Sequence, residues 1–168
     1  MNTERKYRMY GLVPYNISPI QQGIQFGHAV VEYGLLYGET PEYQRWAKED
    51  KTFIILNGGT TSTNPISPGT LNQHASFLRM LIGEKKVALF YEPDLGDQLT
   101  AVVFLVEDRV WDKENWTDYE KIVSDYAKAG GGDFIPPYDS WVENFSSDPQ
   151  EAEKIVALRK FLSPLRLA

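Results

Sequence analysis

Through the first 106 residues, apolar positions come either in short continuous runs or at helical spacing, and the switches between them mark the elements. Residues 7–15 (YRMYGLVPY) read as a strand with Pro14 near its end. A helix is expected over 19–37. Ser18 can cap it, Pro19 suits its first position, and Gln21 stands where a capping-box partner belongs. Gly38 can close it. Thr40-Pro41 restarts a short helix to about residue 49, and 52–56 (TFIIL) is short and β-branched enough for a buried strand. A polar loop, 57–65 (NGGTTSTNP), leads toward a helix over 70–82 that Gly83 stops. Strands over 87–91 and 101–106 are joined by 92–100 (EPDLGDQLT). The order β-α-α-β-α-β-β predicts an α/β fold, a three-layer-like sandwich around a mixed four-stranded sheet.

Past residue 106 the texture changes. Thr117-Asp118-Tyr119-Glu120 is a capping box for a helix to about residue 128. Gly130-Gly131-Gly132 interrupts the chain, Pro136-Pro137 keeps it extended, and Asp148-Pro149-Gln150-Glu151 opens a last helix to about Leu162. Trp111, Trp116, Phe134, Tyr138, Trp141 and Phe145 are too many aromatics for a disordered tail. The expected organisation is an α/β core over 1–106 and an acidic, aromatic-rich helical extension over 107–168 packed on it.

Composition narrows the chemistry. The 168 residues, 42% hydrophobic, suit one domain with an appendage. With no cysteine, disulfides, thiolate nucleophiles, iron–sulfur clusters and cysteine zinc sites are excluded. The net charge of −6 is uneven: residues 107–168 hold 13 acidic against 8 basic side chains. Arg5, Lys6 and Arg8 form a small basic cluster, and Lys85 with Lys86 a second, able to meet a phosphate backbone or simply to be solvated. No apolar run approaches the ~20 residues of a membrane span, so no membrane association is expected. The opening MNTERKYR lacks the apolar segment of a signal peptide, so a cytoplasmic location is expected.

Three groups could carry chemistry. On the first helix Gln21, Gln25, His28 and Glu32 fall within roughly 60° of one another. Ile20, Ile24, Val31 and Leu35 make an apolar edge beside them, and Phe26, Val30 and Tyr33 a second, while Gly23 and Gly27 would let a neighbour approach closely. A polar row between two apolar edges is either the wall of a site or a buried polar seam. Glu32, one turn from His28, could orient the imidazole and raise its pKa. Second, Asn57, Gly58, Gly59 and Thr60 open a loop whose N–H groups and hydroxyls could wrap a phosphate, at the strand end where ligand contacts gather in open α/β sheets. An ordinary strand-to-helix loop explains the same letters. Third, Glu92, Asp94, Asp97 and Thr100 could supply a general base or hold a cation, or form a tight turn through Gly96 and Asp97. No spacing matches a metal site or a cofactor motif, and His74 is expected to be exposed.

The strand followed by a helix carrying Gln25-Phe26-Gly27-His28-Ala29 resembles the Q-x-x-H-A segment of type 2 peptidyl-tRNA hydrolases. So do the later buried strand, the next helix and the strand–acidic loop–strand that ends the core, over about residues 7–106. The resemblance implies an ester hydrolase that releases peptide from the 3′ end of tRNA, with catalytic candidates Glu92, Asp94, Thr100 and His28. Gln25 and His28 fall on the family's glutamine and histidine, Glu92 or Asp94 on its catalytic aspartate, and Thr100 nearest its threonine. Gln21 stands where the family's helix opens with a lysine, and a D-A-G-R-T-like run is absent. Arg5, Lys6, Lys85 and Lys86 would steer the acceptor stem.

Two functions are therefore carried forward. One is a binding protein on this fold for a nucleotide, a nucleic-acid end or a protein partner. Its pocket would be lined by Gln21, Gln25, Glu32, Asn57, Gly58, Gly59 and Thr60, with no water-activating carboxylate in reach. The other is the peptidyl-tRNA ester hydrolase. No cofactor is expected in either; tRNA, a nucleotide ligand and a homodimer are the partners they admit.

Overall fold

The computed structural model describes residues 4–131 and 134–168; Gly132, part of the expected glycine break, lies outside them. The chain divides into two compact units, residues up to Glu107 together with Pro164–Ala168, and Asp108–Ser163.

The first unit is α/β. Its elements run β1 (Tyr7–Pro14), α1 (Pro19–Tyr37), α2 (Pro41–Arg45) continued by a wider π turn (Trp46–Asp50), β2 (Thr52–Gly59), α3 (Thr70–Ile82), β3 (Val87–Glu92) and β4 (Gln98–Glu107). The open mixed sheet has the order β2-β1-β4-β3, with β1 parallel to β2 and antiparallel to β4, and β3 antiparallel to β4. Side chains alternate across a strand, so Met9, Gly11 and Val13 share one face and Leu12 takes the other. A Cβ on Gly11 would strike the Phe26 ring of α1, whereas one on Gly58 would strike Leu71 of α3 and approach Leu12. The two helices thus cover opposite faces. Under α1 lies a cluster of Met9, Val13, Phe26, Ala29, Tyr33, Trp46, Ala88, Ala101 and Val103; under α3, Leu12, Leu71 and Leu78 are fully buried.

Local chemistry sets the ends of α1. The Ser18 hydroxyl accepts the Gln21 N–H at 3.2 Å, Pro19 follows, and the chain turns at Gly38, whose N–H donates to Gly34 O at 2.9 Å. The helix is not buried all round. Its second apolar edge, with Phe26 and Tyr33, packs on the sheet, while Ile20, Ile24, Val31 and Leu35 face solvent.

The strand beginning at Thr52 runs on to Gly59, so 57–59, expected as loop, is ladder. Asn57 pairs with Val13 and Gly59 with Pro14, leaving Gly58 as an extra residue in β2. The outer edge of β2 is closed by the C-terminus. Asn57 N–H donates to Arg166 O at 2.8 Å, Ala168 N–H donates to Ile55 O at 3.0 Å, and Leu56 bridges Leu167. An open strand edge is thereby covered.

The second unit is helical: α4 (Asp108–Trp111), α5 (Tyr119–Lys128), α6 (Tyr138–Glu143) and α7 (Pro149–Leu162). The short helix α6, in a stretch where no element was expected, buries Trp141, whose ring meets Phe145 edge-on at 5.0 Å. Arg159 is buried at the centre. Its guanidinium donates to the carbonyls of Arg109 (2.7 Å) and Trp116 (2.6 Å) and to Asp118 Oδ1 (2.5 Å). Burial raises the Asp118 carboxyl, but hydrogen bonds from Lys113 and Arg159 outweigh it and hold the group below the usual carboxylate range. A depressed folded-state pKa adds stability that is present above the unfolded pKa and lost as pH falls through the folded one. The melting temperature of this unit should therefore drop on acidification below the ordinary aspartate range, and an Asp118→Asn chain should show a shallower drop in the same titration.

Among the described residues no helix is long and apolar enough to cross a membrane.

Candidate functional site

The site begins with a defect in the sheet. Phe90 pairs with Ala101 but Tyr91 with Leu99, so Thr100 is an extra residue in β4. A bulge re-aims its side chain. Here it puts the Thr100 hydroxyl on the α1 face, beside Ala101 of the core. Thr100 is fully buried, and Oγ1 donates to Gln25 Oε1 at 2.6 Å. Gln25, 2% exposed, donates from Nε2 to Glu92 Oε2 at 2.7 Å. Each bond orients the next: the hydroxyl takes the amide oxygen, so the amide N–H must point at the carboxylate. A buried glutamine needs such partners at both ends, or its desolvation goes uncompensated.

Glu92 is the last residue of β3 and half-buried. Its Oε1 accepts the Asp94 N–H at 3.3 Å, and its carbonyl accepts the Asp97 N–H at 3.0 Å. The carboxylate is thus fixed from the helix side by Gln25 and from the turn side by the backbone. Each oxygen accepts one of these bonds and keeps a further lone pair with which to accept a water proton.

His28 lies exposed on α1 with its imidazole stacked on Phe90, ring centroids 4.6 Å apart and planes 16° from parallel. Phe90 stands two residues before Glu92 on β3, so the histidine marks the rim of the same helix–strand seam. Among the described residues, no hydrogen bond links His28 to the half-buried Glu32. Gln21 is exposed, its N–H spent on the Ser18 cap. Asp94 is exposed on the short turn Pro93–Leu95, and Asp97, at φ 57°, is a turn residue. His74, expected to be exposed, is half-buried on α3, and burial pushes its imidazole below the ordinary value.

Of the residues singled out in the sequence, Gln25, Glu92 and Thr100 are joined by direct hydrogen bonds, with His28 beside them. Asn57, Gly58 and Gly59, and Thr60 just after them, sit at the same end of the sheet but at β2, the opposite edge from β3. Their polar groups are spent locally. Asn57 Oδ1 accepts Gly59 N–H at 2.8 Å, Thr70 Oγ1 accepts Thr60 N–H at 2.8 Å, and Thr60 O accepts Leu71 N–H at 2.8 Å. Gly59 has φ 89°, and a Cβ there would overlap Thr70 Oγ1. These letters secure the entry to α3. Gly59→Ala is accordingly expected to destabilise the protein by about 1–2 kcal/mol or more from backbone conformation alone, read as a lower urea midpoint.

The basic clusters lie at the far end of the sheet. Arg5, Lys6 and Arg8 precede or open β1, and Lys85 and Lys86 precede β3, whereas Glu92 ends β3. Arg5 stands 3.8 Å from Glu107. Among the described residues no three His, Asp or Glu side chains gather into a metal-binding group.

Fold and seam together define an open mixed α/β sheet with a carboxylate–amide–hydroxyl chain at its strand ends. No family model, curated protein or solved structure matches the chain.

What the sequence did not announce was the bulge at Thr100 and the stacking role of Phe90. Leu99 and Thr100 were expected in the connection 92–100, whereas β4 already begins at Gln98, and only pairing with Phe90 and Tyr91 reveals the extra residue.

Proposed function

We propose that the first unit is an ester hydrolase of the kind its resemblance to type 2 peptidyl-tRNA hydrolases implies, with Glu92 orienting the attacking water. The observation that carries this reading is the chain Thr100 Oγ1 to Gln25 to Glu92 Oε2, at 2.6 and 2.7 Å. It supplies a carboxylate held at a strand end by groups that cannot turn without losing buried hydrogen bonds. A positioned carboxylate can accept a proton from water as the water attacks an ester carbonyl. Gln25 and Thr100 are positioning residues in this scheme; His28 offers a flat, exposed ring at the rim on which a planar part of a substrate can stack. The test is single-turnover release of the blocked amino acid from N-acetylated aminoacyl-tRNA with enzyme in excess. Release above the uncatalysed rate supports the reading, and none at high enzyme concentration removes it.

A second reading, a binding module without turnover, is favoured by the far placement of the basic clusters and by Gln21 at the position of the family's lysine. It predicts a nucleotide-dependent rise in melting temperature that is lost in His28→Ala, with no ester cleavage.

A further inference from the structure

The sheet has two edges, and the chain closes only one of them. The outer edge of β2 is paired by 164–168, whereas β3 is the last strand on the other side. Thr100 Oγ1 donates to Phe90 O at 3.4 Å and Asp97 N–H donates to Glu92 O at 3.0 Å, so the main-chain groups of Phe90 and Glu92 face β4. Those of Leu89 and Tyr91 alternate with them and face away from the sheet. Among the described residues no hydrogen bond reaches these outward groups. The edge is not blunted either, since Val87-Ala88-Leu89-Phe90-Tyr91 carries no charge and no proline.

Helix α1 roofs the strip beside that edge. Round the helix, Phe26 meets Phe53 of β2, Gln25 meets Thr100 of β4 and Glu92 of β3, and His28 stacks on Phe90 of β3. At 100° per residue Leu35 and Ile24 lie a further ~20° and ~40° in the same direction, beyond the last strand. They are 76% and 46% exposed. A strand added about 4.8 Å outside β3 would lie beneath them and would bond the outward groups of Leu89 and Tyr91. Unpaired ladder groups under an apolar roof call for one kind of occupant, an extended peptide backbone.

We infer that the open edge of β3 binds the peptide part of the ester substrate as an added parallel strand, whose last carbonyl reaches Glu92. This rests on the hydrolytic reading, which requires the esterified carbonyl at the Glu92 end of β3; a peptide that runs toward that end is parallel to β3. In a parallel ladder the residue opposite Phe90 donates its N–H to Leu89 O and accepts the Tyr91 N–H at its own carbonyl. The residue opposite Glu92 donates to Tyr91 O, while the one between them turns its N–H away. Phe90 and Glu92 point their side chains to α1, so the peptide residues opposite them do the same and meet its apolar roof. Recognition is therefore through the main chain and tolerant of sequence, with apolar residues favoured at the last and third-last positions.

Amide hydrogen exchange on the full chain tests this, with the N-acetylated amide of leucyl-alanyl-leucine, which carries no ester, as probe at millimolar concentration. Under saturating probe, exchange at Tyr91 should slow at least ~10-fold, with Phe90 unchanged because its N–H already faces β4. N-methylation of either leucine deletes a main-chain donor and should weaken binding at least ~10-fold, whereas N-methylation of the alanine should cost less than ~3-fold. Ile24→Lys, at an exposed position, should keep the melting temperature and weaken binding at least ~10-fold. No slowing at Tyr91, or equal effects of the three methylations, would overturn the inference. So would slowing at Tyr91 that appears without probe as protein concentration rises, which would give the edge to a second copy. Binding is read without ester cleavage, so a protein that binds the probe in this way but spares N-acetylated aminoacyl-tRNA keeps the strand site and loses the hydrolytic reading.

Discussion

Glu92→Gln should lower single-turnover ester cleavage by roughly 10²–10⁴-fold, the range a positioned general base contributes, while leaving the melting temperature nearly unchanged. The substitution is isosteric: the one amide oxygen can still accept from Gln25 Nε2, and only the longer 3.3 Å bond from the Asp94 N–H is given up. What is lost is the negative charge and the basicity of the group facing the water. Asp94→Asn is the matched control. Asp94 is exposed on the turn and is held through its own N–H, which Glu92 Oε1 accepts. Its loss should cost less than ~10-fold, because its side chain is outside the hydrogen-bonded chain. The reverse ranking would move the reacting carboxylate to Asp94.

Arg159→Met should be the most destabilising single change in the helical unit, by about 3–5 kcal/mol. Arg159 is 3% exposed and anchors α7 to the main-chain carbonyls of Arg109, Val110 and Trp116 and to Asp118, with its guanidinium 5.0 Å from the centre of the Phe145 ring. Methionine fills much of the volume but donates nothing, leaving the buried carbonyls without their partner, while Asp118 keeps only Lys113. For a unit of this size such a loss lowers the midpoint by more than ~10 °C, resolvable by calorimetry as a shift confined to one transition. A shift under ~2 °C would mean that the aromatic packing of Trp116, Trp141 and Phe145 suffices.

How much of this was legible in the sequence depends on the range of the interaction involved. Helix α3, expected over 70–82, could be read to its end because its stop is local: Gly83 ends it. The stretch 57–59 could not. Asn-Gly-Gly is turn chemistry, yet here it continues a strand, because β1 on one side and 164–168 on the other supply hydrogen bonds that no neighbouring residue could. Similarly, Gln25, His28, Glu92 and Thr100 could be singled out by residue type and resemblance. That Gln25 joins Thr100 and Glu92, 75 and 67 residues away, depends on a bulge visible only in the pairing. Periodicity gave α1 two apolar edges without telling which one the sheet would take. The basic clusters show the same limit, since spacing along the chain carries no sign of which end of the sheet they occupy.

The central claim is that Thr100, Gln25 and Glu92 act as one hydrolytic unit. A double-mutant cycle on single-turnover cleavage of N-acetylated aminoacyl-tRNA, with Thr100→Val, Glu92→Gln and the pair, tests it most directly. If the hydroxyl acts only by fixing the amide that fixes the carboxylate, the double variant should be about as slow as Glu92→Gln alone. Losses that multiply, or a wild-type protein that leaves the ester intact, would contradict the account.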